Sequence, residues 1–447
     1  MGRPSLSRAL GVWANGLRVG TWRIPASGAM EFTYDPAWIV SENARPISLS
    51  LPLNFDGQPL RGDRVGFFFD NLLPDSEAIR HRVRARFHTR SGDAFDLLRA
   101  IGRDCVGALQ LLPEGSKPEG IKKIDVTPLD DEGIERLLRT AVSEPVAIEA
   151  EDDDDFRISI AGAQEKTALT LHEGRWCKPH GTTPTTHILK LPLGLVGGRQ
   201  MDLRTSLENE WLCARILGAF GVPVASSELK VFGSTKVLLV TRFDRTLHSS
   251  GRYWLRLIQE DFCQATGTPA SRKYEADGGP GLVEIANILQ GSEAREADLA
   301  TLMRAQLLFW MLAAIDGHAK NFSIRILPQG RFRLTPLYDV ISAWPVAGAR
   351  HDQIHPKKLK LAMAVRGAKK HYRIEEIRRR HFEDTARACG LGTDMKGVIE
   401  DVIAKTPLVI DEVAKALPNG FPGAVFEVVT KGLARSREAL AREAAKA

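Results

Sequence analysis

A carboxylate and a carboxamide five residues apart, set where an apolar helix gives way to a strand, restrict this chain more than any other feature of its sequence. Asp316-Gly317-His318-Ala319-Lys320-Asn321 follows the apolar run Leu307–Ile315 and precedes β-prone Phe322–Ile326. Asp339 comes 18 residues after Asn321, past a hairpin turned at Gln329-Gly330. A loop with this spacing curls so that the Asp faces an incoming group while the Asn turns back. A strand-end Asp can return to the same cleft and share a hard cation with that amide. Phosphoryl transfer needs these parts: cations and amides around phosphates, Mg²⁺ on oxygen ligands, and a carboxylate that orients the attacking hydroxyl. Alone, each piece is equally an ordinary helix end or a turn after Pro336; order and spacing together carry the inference.

Upstream lie candidates for the phosphate-binding parts. Small residues in Ser159-Ile160-Ala161-Gly162-Ala163-Gln164-Glu165-Lys166 stand between two predicted strands and let backbone amides approach a phosphate. The pattern is neither a dinucleotide nor a Walker fingerprint, so a plain hairpin loop fits it as well. Lys190, between Leu189 and Leu191 on a predicted strand, points away from their apolar side and towards a cleft or solvent. Glu208 or Glu210, on the following helix, is positioned to pair with it.

The 447 residues exceed one hydrophobic core and suit two or three subdomains. With 43% hydrophobic and 26% charged residues, large-scale disorder is excluded, and a net charge of +6 permits phosphate or nucleic-acid partners without demanding them. Five scattered cysteines form no CxxC pair, so neither a zinc site nor a disulfide framework is expected. The start, MGRPSLSRALGVW, lacks the apolar core of a signal peptide, and Leu307–Ile315 is about half of the ~20 residues a membrane span needs. A soluble, cytoplasmic protein is expected. His351-Asp352-Gln353-Ile354-His355 offers no third metal ligand and reads as a solvated loop.

Along the chain, residues 1–150 read as a β-rich subdomain. Asn15-Gly16 marks a hairpin, and the apolar runs Ile47–Leu53 and Val65–Phe69 extend the β-structure. A basic helix at Ser76–Phe87 and a strand at Val106–Leu112 follow. The polar stretch Pro113–Asp155, ending in five acidic residues, reads as a solvated linker. Residues 151–260 carry predicted strands at Arg157–Ile160, Thr167–His172, His187–Leu191 and Lys236–Thr241. A helix is capped by Thr205 with Glu208 as a capping box and is stopped by Gly221 and Pro223. Residues 261–447 are mainly helical, with two short strands around Phe322–Ile326 and Arg331–Thr335 and a Pro/Gly break at Pro418–Gly423.

The chain resembles the HipA family of bacterial serine/threonine kinase toxins nearly end to end. The resemblance is carried by RPISLSLPL, FFFDNLLPDS, DFRISIAGAQEKTAL, PTTHILKLP, RFDR, QEDFCQ, KYEADGGPG, DGHAKNFS and LTPLYDVISA, in that order. It implies an α+β, protein-kinase-like bilobal fold with a β-rich N-terminal subdomain and a helical C-terminal one. It implies ATP and Mg²⁺ as cofactors and Asp316 as the catalytic residue. ATP would be bound by Ala161, Gly162, Ala163, Gln164, Glu165 and Lys166 in the phosphate loop, by Lys190, by the hinge Thr241, Arg242 and Phe243, by Gln259, and by His318, Ala319, Lys320 and Asn321. Asn321 and Asp339 would hold the metal. Ser159 matches the serine these kinases autophosphorylate, switching themselves off. The implied partners are a helix-turn-helix antitoxin of the HipB kind, operator DNA through that complex, and a protein substrate such as glutamyl-tRNA synthetase, whose modification halts translation and promotes persistence. Arg387 matches a DNA-contact position, whereas Gly390 stands where a second basic residue is usual; Lys369-Lys370 and Arg378-Arg379-Arg380 are other phosphate partners. Two rival functions share these features: a catalytically silent corepressor bound to DNA, and a small-molecule phosphotransferase.

Overall fold

The computed structural model describes residues 8–142, 159–162, 164–391 and 395–444. The N-terminal part is a five-stranded antiparallel sheet, ordered Leu60–Arg61, Glu31–Tyr34, Leu17–Ile24, Arg8–Ala14, Leu109–Pro113. Its first hairpin turns at Asn15-Gly16, both with positive φ (48° and 84°), as a type I′ turn requires. The sheet's inner face is filled by the helices Asp63–Asp70 and Ala94–Ile101, with Phe69 stacked on Trp22 at 4.1 Å between centroids. Val65–Phe69 is therefore helix rather than strand: a continuous apolar run is compatible with either, and burial of Val65, Phe68 and Phe69 against the sheet selects the helix. Ile47–Leu53 forms only an isolated bridge between Ser48 and Leu51. The basic helix Glu77–Arg86 starts at Ser76, whose Oγ accepts from the Ile79 N–H.

A second, six-stranded antiparallel sheet is ordered Ser227–Phe232, Thr235–Thr241, His187–Lys190, Lys166–His172, Arg175–Pro179, Val126–Pro128. Its last strand and the helix Asp131–Val142 come from the stretch read as linker. Ile134 and Leu138 of that helix bury themselves against Leu169, Leu189, Phe232, Val237 and Leu239. Two buried apolar anchors in a polar helix are enough to dock it, and too few to announce it in composition. Residues 143–158, which hold the acidic run and the first two positions of the strand expected at Arg157–Ile160, lie outside the described residues, and Ser159-Ile160 are not in a strand.

The helix Ser206–Ala219 packs beneath the second sheet. Thr205 is at its N-cap but makes no side-chain capping bond, since its φ/ψ of −97°/22° is not the extended conformation capping requires. Glu208 instead reaches Lys236 at 2.6 Å. The C-terminal part is built on the buried helix Arg295–Leu312, ended by Ala313 in the left-handed conformation (φ 48°), and flanked by Arg379–Ala388, Met395–Lys415 and Gly423–Ala444. The last two helices are separated at the expected Pro/Gly break. A three-stranded sheet, Gln259–Asp261, Ser323–Ile326, Phe332–Leu334, lies where this helical part meets the cleft, and a hairpin, Lys360–Arg366 with Lys370–Arg373, was not expected from the sequence. No helix among the described residues is long and apolar enough to cross a membrane. All five cysteines are buried and unpaired.

Candidate active site

Strand alternation decides where Lys190 goes. Leu189 joins the apolar core on one face of the sheet, so its neighbour must project from the other. There the Lys190 ammonium lies 2.6 Å from Glu210 Oε1 and 2.7 Å from Asp339 Oδ1. Burial alone would lower its pKa, but Asp339 and Glu210 outweigh this and raise it, so the lysine is charged. Of the two acidic candidates on the helix, Glu210 is the partner. Asp339 stands in the left-handed region (φ 61°), which Asp tolerates better than most residues. Burial would push its carboxyl up; Lys190 and then Lys166 hold it well below the usual range.

The loop after the central helix meets this pair. Asn321 Nδ2 donates to the Asp339 carbonyl at 3.3 Å, while its Oδ1 accepts the His318 N–H at 3.0 Å. Asp316, Asn321, Asp339 and Lys190 all line one cleft. The groups placed 23 positions apart in sequence therefore converge. Asp316 accepts a hydrogen bond from the Tyr274 hydroxyl. Its side chain is 64% exposed at the cleft mouth, where water screens its charge. His318 is buried, its Nδ1 has no hydrogen-bond partner among the described residues, and burial, reinforced by Lys273, pushes its pKa down to about 3.

The loop expected to bind phosphate is clamped from the N-terminal subdomain. Ser159 is fully buried and donates from Oγ to the Leu72 carbonyl at 2.7 Å; the Asp75 N–H donates to the Gly162 carbonyl at 3.1 Å. Arg82, from the basic helix, pairs with Glu165. Lys166 folds back to the Ala161 carbonyl at 2.7 Å, and a Cβ on Gly162 would sit 2.5 Å from its ammonium, so the glycine (φ 110°) makes room for that cation. Gln164 donates to the Leu191 carbonyl at 2.6 Å. Ala163 lies outside the described residues.

Some expected ATP contacts are otherwise engaged. The Lys320 ammonium is buried against Asn71 Oδ1 (2.7 Å), Asp261 Oδ2 (3.2 Å) and Asp75 Oδ1 (3.6 Å), so it braces the loop against the N-terminal subdomain. The Arg242 guanidinium turns into a buried ion cluster with Asp104 and Asp244, and the Arg242 backbone N–H donates to the Thr186 carbonyl, which leaves Thr241 and Phe243 as the accessible part of the expected hinge. Phe243 packs against Tyr338, Gln259 lines the cleft, and Ala319 is fully buried and does not line it. Sequence reasoning missed Asp75 and Lys273, paired at 2.9 Å inside the cleft, because each is far in sequence from the groups it serves. FFFDNLLPDS and KYEADGGPG were visible as motifs, with no spacing rule to assign them roles.

Two domain families match the chain: the HipA-like C-terminal domain over residues 158–410 and the HipA N-terminal domain over residues 10–112. The chain belongs to the HipA family. Among its HipA relatives is a Sinorhizobium fredii protein named as a kinase, Y4mE, 35% identical over 339 residues, covering 75% of this chain and 77% of the relative. The serine/threonine-protein kinase toxin HipA of Shewanella oneidensis is 28% identical over 349 residues, covering 75% and 73%. The fold matches HipA of Shewanella oneidensis MR-1, solved with HipB and its operator DNA, with a TM-score of 0.77 over 97% of each chain at 23% identity. The HipA fold is thus shared from end to end, with the kinase-like arrangement of helix and sheet.

Arg387, expected from the resemblance at a DNA-contact position, is on the surface and pairs with Asp384 three residues earlier. Gly390 has φ 80°, and a Cβ there would stand 2.4 Å from Gln290 Nε2, so the fold itself disfavours a basic side chain. Lys370 holds buried Glu275 at 2.7 Å, and Arg379 is spent on Glu383 and Glu400.

Proposed function

We propose that the chain is an ATP-dependent serine/threonine protein kinase of the toxin type. The observation that carries this reading is the convergence of Lys190, Asp316, Asn321 and Asp339 on one cleft beneath a clamped glycine loop. Lys190, oriented by Glu210, would meet ATP phosphates, with Lys166 and the loop amides around them. Asp316 would orient the acceptor hydroxyl. Asn321 Oδ1 and the Asp339 carboxylate form a hard-oxygen pair of the kind that binds Mg²⁺ together with substrate phosphates and water, so the donor set fits the metal. That ion supplies charge neutralisation on the phosphates. Phe243 and Thr241 would border the adenine.

Ser159 would be the self-inactivation site. A phosphate on a side chain that is fully buried against Leu72 cannot be accommodated where the hydroxyl sits, so its modification would expel the loop. Kinship with the Shewanella protein supports a HipB-like antitoxin, and operator DNA through it, as partners; the family resemblance adds, as a proposal, a translation-related protein substrate such as an aminoacyl-tRNA synthetase. The test is mass spectrometry of total cell protein after expressing the wild type beside Asp316→Gln. Phosphoserine at Ser159 and on a translation protein is expected in the wild type alone; identical phosphopeptides in both would remove Asp316 from its role. Operator binding with the antitoxin but no phosphotransfer would favour the silent corepressor, and a phosphorylated metabolite the small-molecule reading.

A further inference from the structure

The segment Lys273–Gly281 has no part in the function as proposed so far, yet it is built as a rigid strap across the catalytic loop. Its start is tied down twice: the Lys273 carbonyl accepts from the Ala319 N–H at 3.3 Å, and the Lys273 ammonium holds Asp75 at 2.9 Å. The Tyr274 carbonyl is clasped by the N–H groups of Asp277 and Gly279, both at 3.0 Å. Glu275 is buried, accepts the Ala364 N–H at 2.6 Å and pairs with Lys370 at 2.7 Å. The glycines are demanded by closeness: a Cβ on Gly279 would stand 1.9 Å from the Arg272 carbonyl oxygen, and one on Gly281 2.4 Å from the Glu275 carboxyl carbon. All of this fixes one side chain, Tyr274. Its ring stands edge-on to His318 at 5.1 Å, and its hydroxyl donates to Asp316 Oδ1.

Resting on the kinase reading of this site, we propose that Tyr274 is the positioning residue for the catalytic carboxylate. Tyr274 and the nearby His318 Nε2, 4.0 Å away, occupy the Oδ1 side of Asp316 and leave Oδ2 to the acceptor hydroxyl. In the transfer step the acceptor oxygen bonds to the γ-phosphorus as the bond to the ADP oxygen breaks, and the hydroxyl proton passes to Oδ2. A carboxylate that is largely exposed has free rotation unless something holds it. The phenol, on a strap pinned at both ends, supplies that hold. Tethering at both sides of Tyr274 argues for a fixed brace rather than a swinging plug.

The experiment uses the full-length chain, MgATP and dephosphorylated casein as the acceptor, with wild type, Tyr274→Phe, Tyr274→Leu and Asp316→Gln. Losing one hydrogen bond to a charged group is expected to lower kcat about tenfold in Tyr274→Phe. ATP affinity, read from a fluorescent nucleotide analogue, should stay within about twofold of wild type, as no phosphate contact is touched. Tyr274→Leu, which also loses the ring against His318, should be no more active than Tyr274→Phe. An unchanged kcat in Tyr274→Phe overturns the proposal, as does a loss of kcat matched by an equal loss of ATP affinity, which would report a collapsed site. A wild type that transfers no phosphate, or an Asp316→Gln variant as active as wild type, sinks the kinase reading instead and the proposal with it.

Discussion

Two groups of buried charges lie close together in this molecule and are finished to different degrees. Behind the hinge, Asp104 and Asp244 face Arg242, Arg245 and Arg256, all but excluded from water. Every carboxylate oxygen there is used: Asp104 also takes both the N–H and the hydroxyl of Thr185, and Asp244 takes the Gly107 N–H at 2.8 Å. In the cleft, Lys190, Glu210, Asp339, Asp75 and His318 are just as crowded, yet Glu210 Oε2, Asp75 Oδ1 and His318 Nδ1 have no hydrogen-bond partner among the described residues. A buried charge left partly unpaired is costly, and a ligand that completes its bonding offsets that cost. The completed cluster is scaffold, joining the N-terminal subdomain to the hinge. On the proposed function, the incomplete one is machinery, with capacity reserved for a ligand.

Opposite responses to mutation should separate the two. Asp339→Asn is expected to lower phosphotransfer by about a thousandfold, since it removes a charged oxygen from the phosphate-binding centre. It should change the thermal midpoint little, because Lys190 keeps Glu210. Asp104→Asn should do the reverse. It leaves three arginines short of a counter-charge, and breaking a buried pair costs about 3–5 kcal/mol, visible in denaturant unfolding, while the specific activity of the folded fraction persists. If Asp104→Asn proved as stable as wild type, or Asp339→Asn unfolded the chain, the distinction between scaffold and machinery would fail. A smaller effect is expected at the border between them. Arg82→Ala frees Glu165 and one clamp on the phosphate loop, and should raise the KM for ATP about threefold with kcat nearly kept. A matching fall in kcat would show that the clamp holds more than the phosphates.

The two regions also differ in how far they can be read from sequence. Asp316, Asn321 and Asp339 are legible because a helix end, a loop and one hairpin bring them together within 23 positions, and Lys190 because strand alternation has only two faces. Asp104 and Arg256 meet across 152 positions, and no local pattern records such a pairing. Asp75 and Tyr274 fail for the same reason: each is defined by a partner far along the chain, Lys273 at 198 positions and Asp316 at 42. The helix Asp131–Val142 was hidden by its polarity, Val65–Phe69 by an apolar run that suits strand and helix alike, and the capping box at Thr205 was displaced by an ion pair, Glu208 with Lys236, whose second member lies 28 positions away. Local rules succeed where the chemistry is local.

The finest test of reserved capacity is at Lys166. Burial, reinforced by neighbouring Lys190, brings its pKa down to about 8. Its unfolded value is higher, so between pH 8 and the ordinary lysine range the unfolded chain binds more protons, and this group's penalty on stability is relieved as pH rises. ATP should feel the opposite sign. Phosphate charge favours the protonated amine, so binding must restore a proton that the free protein has begun to lose, and affinity should fall by about twofold from pH 7 to pH 8, and more steeply above. Nucleotide titrations across that range, with Lys166→Met as the reference, measure this directly. The variant should bind more weakly at pH 7 and lose the dependence. A wild-type profile as flat as the variant's would place Lys166 outside the set of groups that wait for phosphate.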